Sequence, residues 1–157
     1  MVFSPWTDLA GTGQSVVGNN DSDALFFGSW IVPVAQHYLG DTPATHPLAS
    51  PVYADLTGLP PLLVQVSDSE VLSDDSRRVV ANARQAGVEA VLRVWPGLPH
   101  VWQFFAIILP EARAALREAA DFVRARFPLS IATLSADRAD SVVAGPDVAL
   151  PVFPPSR

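Results

Sequence analysis

The fold is decided by residues 60–68, Pro60-Pro61-Leu62-Leu63-Val64-Gln65-Val66-Ser67-Asp68. The centre of this stretch is a short, mostly apolar run, with two prolines before it and two polar residues after it. A continuous apolar run of this length is typical of a strand that is buried on both faces in a parallel sheet. The sequence therefore predicts an α/β fold built around this strand.

A helix is predicted directly after the strand. Ser73 can cap its N-terminus, and Asp74 and Asp75 complement the positive end of the helix dipole. Apolar residues at helical spacing supply a face for packing, and Gly87 ends the helix.

A second strand is predicted over residues 89–95, with Val91 and Val94 as its expected core positions. Because strand, helix and strand follow one another at this spacing, they predict a right-handed βαβ crossover between parallel strands. The loops after the two strands then lie at the same edge of the sheet, where open α/β sheets have their active sites.

The chain before this unit is predicted to start within a strand and to continue into a helix. Residues 1–6 are typical of a buried strand that runs into a turn, and residues 11–20, rich in Gly, Ser and Asn, predict a loop. Residues 21–23 can then cap a helix that reaches Leu39, with a kink or a break at Pro33.

The last predicted helix spans roughly residues 110–127, and the chain beyond it is predicted to be a tail. Apolar residues at helical spacing would cover one face of the sheet: Ala112, Leu116, Ala119, Phe122, Val123 and Phe127. This periodicity stops after residue 127, and several prolines follow. We therefore divide the chain into a folded domain, residues 1–127, and a proline-containing tail, residues 128–157, that we expect to be disordered.

Composition excludes several classes of function. A net charge of −6 and a pI near 4.8 argue against nucleic acid as a partner, because Lys and Arg supply the affinity for phosphates. The absence of cysteine excludes disulfides, thiolate metal sites and a cysteine nucleophile. The sequence has neither a signal peptide nor an apolar run near twenty residues, so we expect no membrane span and a soluble, cytoplasmic protein.

The three histidines differ in their surroundings. His37 falls within the first predicted helix and His46 precedes Pro47, so both are interpreted as structural or solvated residues. His100 directly follows the second predicted strand and its loop, which places it at the rim where an active site is expected.

Carboxylates are predicted at the same rim as His100, in the loop of residues 67–75. A histidine that acts as a general base needs a carboxylate to hold its tautomer and to stabilise the imidazolium that forms. His100 and one of these acids would then be two thirds of a Ser-His-acid triad. The alternative is that His100 is an exposed loop residue and that the acids are helix caps, and spacing alone leaves both interpretations open.

Four segments carry a resemblance to a known family. They are Ser4-Pro5-Trp6-Thr7-Asp8-Leu9, Ser50-Pro51-Val52-Tyr53-Ala54-Asp55-Leu56, Leu59-Pro60-Pro61-Leu62-Leu63-Val64-Gln65-Val66 and Pro96-Gly97-Leu98-Pro99-His100-Val101-Trp102-Gln103. In these segments and in their order, the chain resembles the bacterial hormone-sensitive-lipase-like esterases of the α/β-hydrolase superfamily, over roughly residues 3–127. The resemblance implies that residues 1–127 are the C-terminal half of an α/β-hydrolase domain, with parallel strands, flanking helices and an incomplete sheet.

The resemblance also implies which residues are catalytic. Glu70 matches the position of the triad acid, with Asp68 as the runner-up, and His100 matches the triad histidine. Trp102 and Phe104 would lie near the substrate cleft, although aromatic residues at these positions are equally expected in a core. The resemblance further implies that the chemistry needs no metal and no organic cofactor.

The nucleophile and oxyanion motifs of that family do not occur in this sequence. No serine has a glycine two residues before and two after it, so Ser15, Ser29 and Ser67 are interpreted as loop or helix serines. The resemblance therefore implies the acid and histidine half of a carboxylic ester hydrolase, inactive alone. Its partners would be a small ester, in the complete enzyme, and the N-terminal half of the hydrolase.

Two other interpretations stay open. The chain could be a non-catalytic, hydrolase-derived module for dimerisation or partner binding, which the exposed sheet edge and the unmatched tail favour. It could also be a hydrolase with a different nucleophile, although no residue is placed to act as one. Ester hydrolysis gained when an N-terminal half is supplied would favour the partial enzyme, and a stable, inactive homodimer would favour the module.

Overall fold

The structure is a computed structural model that describes residues 1–126, so the predicted tail, residues 128–157, lies outside the described residues. It contains three strands and four helices: β1 (Val2–Phe3), α1 (Ser15–Gly18), α2 (Gly28–Leu39), β2 (Leu62–Ser67), α3 (Ser73–Gln85), β3 (Ala90–Trp95) and α4 (Pro110–Arg126). Short 3₁₀ turns lie at Pro51–Tyr53 and Trp102–Phe105. Among the described helices, none has the length and apolarity needed to cross a membrane.

The sheet is parallel, in the order β1-β2-β3. Val64 of β2 pairs with Val2 on one side and with Leu92 on the other, which makes β2 the central strand. Residues 63–67 of β2 are all buried, as the continuous apolar run predicted. The predicted α/β fold with parallel strands and flanking helices is confirmed.

Successive residues of β2 face different helices, because side chains alternate along a strand. Val64 packs in a cluster with Val80 and Ala83 of α3. The next residue, Gln65, faces the other side of the sheet, where its amide nitrogen donates to the carbonyl oxygen of Ala115 in α4 at 2.9 Å. Helices α3 and α4 therefore cover opposite faces of the strand that precedes the predicted acid loop.

The N-terminus of α3 is capped from a distant segment. The predicted cap, Ser73, is instead the first residue of the helix, and the N-cap position is held by Leu72, whose side chain makes no capping hydrogen bond. The Ser15 hydroxyl oxygen instead accepts the Asp74 N–H at 2.9 Å, and the Ser15 N–H donates to the Asp74 carboxylate at 3.0 Å. Gly87, predicted to end the helix, follows its last turn with a φ of +78°, which a residue without a Cβ adopts at no cost.

The start of α2 differs from the prediction. Residues 21–23 do not cap it; the helix begins at Gly28 and continues through Pro33 without a break. Asp23 closes a separate turn, in which its Oδ1 accepts the N–H groups of Leu25 and Phe26 at 2.9 and 3.1 Å. Gly28 lets the helix start close to α1, since a Cβ there would lie 1.8 Å from the carbonyl oxygen of Val16.

Three residues predicted to lie in the core are exposed, one in β3 and two in α4. Val94 is 39% exposed, because β3 is an edge strand of the described sheet and only the start of β3, at Ala90, is buried by α3. In α4, Leu116 and Val123 are 38% and 36% exposed. The buried stripe of α4 consists of Ala112, Ala115 and Ala119, whose small side chains let the helix approach the sheet closely.

Candidate active site

Glu70 and His100 lie side by side beyond the carboxyl ends of β2 and β3. Oε2 of Glu70 is 2.7 Å from Nδ1 of His100. The Glu70 side chain is 1% exposed, whereas that of His100 is 18% exposed, so the acid is enclosed and the histidine reaches the surface. The structure therefore brings together the two predicted catalytic residues, and His100 is a paired residue rather than a free loop side chain.

The other carboxylate oxygen of Glu70 is held by two donors. Oε1 accepts the backbone N–H of Ser67 at 2.7 Å and the hydroxyl of Ser4 at 2.8 Å. These bonds leave Oε2 free to accept from the imidazole. When Glu70 is ionised and His100 is neutral, the ring proton therefore sits on Nδ1, and Nε2 keeps the lone pair that a general base needs.

The acid loop and the histidine loop are joined by further hydrogen bonds. Asp68, the runner-up for the acid, accepts the N–H of Gly97 at 2.9 Å through Oδ1. The Ser67 hydroxyl oxygen accepts the N–H of Leu98 at 2.9 Å, and the Ser69 hydroxyl donates to the Leu98 carbonyl oxygen at 3.0 Å. Asp68 thus holds the histidine loop in place, while Glu70 holds the histidine itself.

A third segment, residues 19–26, packs against both loops. The Asn19 amide nitrogen donates to the carbonyl oxygens of Asp68 and Glu70 at 2.6 and 2.8 Å. Oδ2 of Asp23 accepts the N–H of Val71 at 2.9 Å. The ring of Phe26 stands perpendicular to the His100 imidazole, with 4.7 Å between the ring centroids. This segment forms one wall beside the histidine.

A second buried carboxylate, Asp8, fixes the segment that carries Ser4. Its Oδ2 lies 2.7 Å from Nη1 of Arg78, and its two oxygens also accept from the hydroxyls of Thr12 and Tyr53. Burial alone would raise the pKa of Asp8, but the hydrogen bonds from Thr12, Arg78 and Tyr53 together hold that pKa below its usual value.

Asp75 has a role that its position in the helix did not predict. Asp74 lies in the first turn of α3, as expected for a charge at a helix N-terminus, but Asp75 is 1% exposed and points at another segment. Its Oδ2 accepts the N–H groups of Thr7 and Asp8 at 2.7 and 2.8 Å. Burial raises the pKa of Asp75 to about 6, although these two hydrogen bonds oppose the shift. Asp75 thus fastens the segment after Ser4 to α3.

The remaining sequence-predicted residues lie elsewhere. His37 and His46 are exposed, as expected for solvated residues. Trp102 is fully buried in a cluster with Ala112, so it is a core residue and not a lining of the cleft. Phe104, also expected near the cleft, is 84% exposed.

Known proteins resemble this chain in sequence and in structure. The family described as alpha/beta hydrolase fold matches residues 1–104. An acetyl-hydrolase of Streptomyces hygroscopicus is 43% identical over 122 residues, and an esterase of Acinetobacter venetianus is 38% identical over 123 residues. In both cases the match covers 78% of this chain and 41% of the relative. A crystal structure of an esterase from the bacterial hormone-sensitive lipase family superposes with a TM-score of 0.76 at 48% identity, over 78% of this chain and 41% of that one.

This chain therefore belongs to the α/β-hydrolase family, in its hormone-sensitive-lipase-like esterase branch. It spans about two fifths of the length of the relatives that it matches.

Proposed function

We propose that this chain supplies the acid and the histidine of a carboxylic ester hydrolase that works by serine acyl transfer. The observation that carries the proposal is the 2.7 Å pair of Glu70 and His100 at the carboxyl edge of a parallel sheet. In this mechanism Glu70 orients the imidazole and stabilises its protonated form. Nε2 of His100 takes the proton of a serine hydroxyl and then gives it to the leaving alcohol.

The nucleophile would come from a part of the hydrolase that this chain does not contain. The serines nearest to the pair are already engaged: the Ser4 hydroxyl donates to Glu70, and that of Ser67 accepts from Leu98. Neither stands on the strained strand-to-helix turn that presents a nucleophile to its base. Without that serine and without oxyanion donors, we expect the chain alone to be inactive towards small carboxylic esters.

The edge of the sheet at β1 is where the remainder of the hydrolase would join. In the described residues β1 pairs only with β2, and Val2 is 38% exposed. An open strand edge presents unpaired N–H and C=O groups to a further strand. An N-terminal half of the hydrolase, or a second copy of this chain, could supply that strand.

A chimera tests the proposal. Residues 1–126 would replace the matching segment of the Streptomyces acetyl-hydrolase, whose own N-terminal part would then precede them, and p-nitrophenyl acetate hydrolysis would be measured. We expect the isolated chain to show no hydrolysis above background and the chimera to be active. His100→Ala in the chimera should lower kcat by a factor of roughly 10³ or more, because the general base is lost.

His46→Ala is the matched control, since His46 is exposed and its ring only accepts the N–H of Leu48. It should leave kcat within about twofold of the parent chimera, because the residue takes no part in the pair. A chimera that keeps its activity after His100→Ala would refute the assignment of the base. A folded chimera without activity would favour the non-catalytic module, and an isolated chain whose activity depends on His100 would show a nucleophile within these 157 residues.

A further inference from the structure

We propose that Ser4 is a positioning residue, which acts through its hydroxyl to hold the acid and the histidine loop in one arrangement. The proposal rests on the proposed function of Glu70 and His100. It concerns a residue that neither the pattern of the sequence nor the comparisons assign to the site.

The Ser4 hydroxyl touches both halves of the pair. Ser4 is 3% exposed, and its Oγ lies 2.8 Å from Oε1 of Glu70 and 3.2 Å from the backbone nitrogen of Val101, the residue after His100. A backbone N–H can only donate, so Val101 donates to Ser4. The single hydroxyl proton of Ser4 is then left to donate to Glu70. An ionised carboxylate offers only acceptors, so Glu70 can accept this proton.

The backbone on both sides of this hydrogen bond is held in an unusual conformation. Ser4 has a φ of +44° and Val101 a φ of +50°, and among the described residues these are the non-glycine residues in the left-handed region. For a β-branched residue such as Val101 this is a rare conformation, which persists only where the surroundings impose it. The Ser4 hydroxyl is the group that joins the two strained residues.

Ser4 is itself fixed to the rigid part of the fold. Its N–H donates to the carbonyl oxygen of Gln65 in β2 at 2.7 Å. Three residues later, the N–H of Thr7 donates to the buried carboxylate of Asp75. The Ser4 hydroxyl therefore extends from an anchored segment. Its hydrogen bond fixes the position of the Glu70 carboxylate relative to that segment.

Removing the hydroxyl should free the carboxylate to rotate. Oε1 would keep only the Ser67 N–H, so Oε2 would no longer be confined to the position that faces Nδ1 of His100. Positioning of this kind affects the chemical step more than substrate binding, because a base must be aligned in the transition state.

The test is NMR of the full chain labelled with ¹⁵N-histidine, in which the His100 ring signals are assigned from their loss in His100→Gln. In the unsubstituted chain we expect a protected Nδ1 proton. In Ser4→Ala we expect exchange of that proton with water to be at least about tenfold faster, because the hydrogen bond opens more often. In the active chimera, Ser4→Ala should lower kcat about tenfold and leave KM nearly unchanged.

Ser50→Ala is the matched control for the loss of a buried serine hydroxyl. Ser50 is 0% exposed, and its Oγ accepts the N–H of Leu9 and donates to the carbonyl oxygen of Ala44, as the Ser4 hydroxyl does with its own two partners. Neither partner of Ser50 belongs to the acid or the histidine loop. Ser50→Ala should therefore leave the exchange of the His100 Nδ1 proton unchanged, even if it lowers the stability of the fold.

Ser4→Gly removes the hydroxyl and relieves the strain at φ +44°, so it serves where Ser4→Ala does not fold. A folded Ser4→Ala or Ser4→Gly chain with the wild-type exchange rate would overturn the proposal.

The unsubstituted chain gives a second test that needs no variant. The proposal requires an NOE between the Val101 amide proton and the Ser4 β-protons, and the absence of this NOE would also overturn it. These NMR results need no hydrolysis, so an inactive chimera would refute the proposed function without deciding the role of Ser4.

Discussion

Glu70→Gln is expected to reverse the tautomer of His100 and to lower kcat of the active chimera by a factor of roughly 10³ to 10⁴. The donors at Oε1 cause this result. The Ser67 N–H and the Ser4 hydroxyl both donate to that position, so the glutamine must place its carbonyl oxygen there. Its NH₂ group then faces Nδ1 of His100. Because this NH₂ group is a donor, Nδ1 must act as the acceptor and cannot carry a proton in the neutral ring. The ring proton moves to Nε2, and His100 loses the lone pair of a general base.

Both consequences can be measured, and a matched variant separates them from a general loosening of the loop. Ring ¹⁵N shifts of His100 report the tautomer, and p-nitrophenyl acetate hydrolysis by the chimera reports kcat. Asp68→Asn is the control, because an asparagine carbonyl can still accept the N–H of Gly97. We expect it to keep the tautomer and to stay within about threefold of the parent kcat. If Asp68→Asn lost activity while Glu70→Gln kept it, Asp68 would be the triad acid.

The central strand and the residues at its end were predictable because the signals for them are local. A continuous apolar run between prolines and polar residues is found where a strand has neighbours on both sides, and β2 is such a strand. Parallel neighbours end at the same edge of a sheet, so the loops that carry Glu70 and His100 had to lie near each other. Their spacing could not decide which acid faces the imidazole, because Asp68 and Glu70 share one loop.

The contacts that complete the site join segments far apart in the sequence, and no local pattern indicates them. Ser4 reaches Glu70 across 66 residues, and Thr7 reaches Asp75 across 68. Asp75 has the sequence position of a helix-dipole charge, and only the folded chain shows that it is enclosed. The positive φ of Ser4 could not be predicted either, because glycine is the residue that usually indicates such a conformation.

Strand β3 forms the second edge of the described sheet, and the burial of its residues depends on what packs beside that edge. The exposure of Val94 could therefore not be predicted from its apolar character.

The second large effect is expected at Asp75, whose pKa is raised from 3.8 to about 6 by burial. A folded-state pKa above the unfolded value means that the folded chain binds this proton more tightly. The contribution of protonated Asp75 to stability is therefore complete below about pH 4 and is lost as the pH rises through 6. The shift corresponds to a loss of about 3 kcal/mol in the free energy of unfolding.

Asp75→Asn should remove this loss, because asparagine stays neutral at every pH and its carbonyl oxygen can accept the N–H groups of Thr7 and Asp8. We expect the stability of the wild-type chain relative to this variant to fall by up to about 3 kcal/mol between about pH 4 and about pH 7.5, measured by urea unfolding. The other charged groups facing Asp75 are Asp8 and Arg78. Asp8 stays ionised across this range, because its own pKa lies below 3.8, and Arg78 stays cationic.

Asp55→Asn is the control for the general effect of removing a carboxylate. The pKa of Asp55 is lowered by hydrogen bonds from Thr57, so this group is ionised throughout the same range and the variant should show no pH-dependent difference from wild type. The stability of the wild-type chain and that of Asp75→Asn could instead change equally from about pH 4 to pH 7.5. That result would contradict the raised pKa of Asp75 in the folded chain. A pH-dependent difference that appears with Asp75→Asn and not with Asp55→Asn would show that burial raises the pKa of Asp75 in the folded chain.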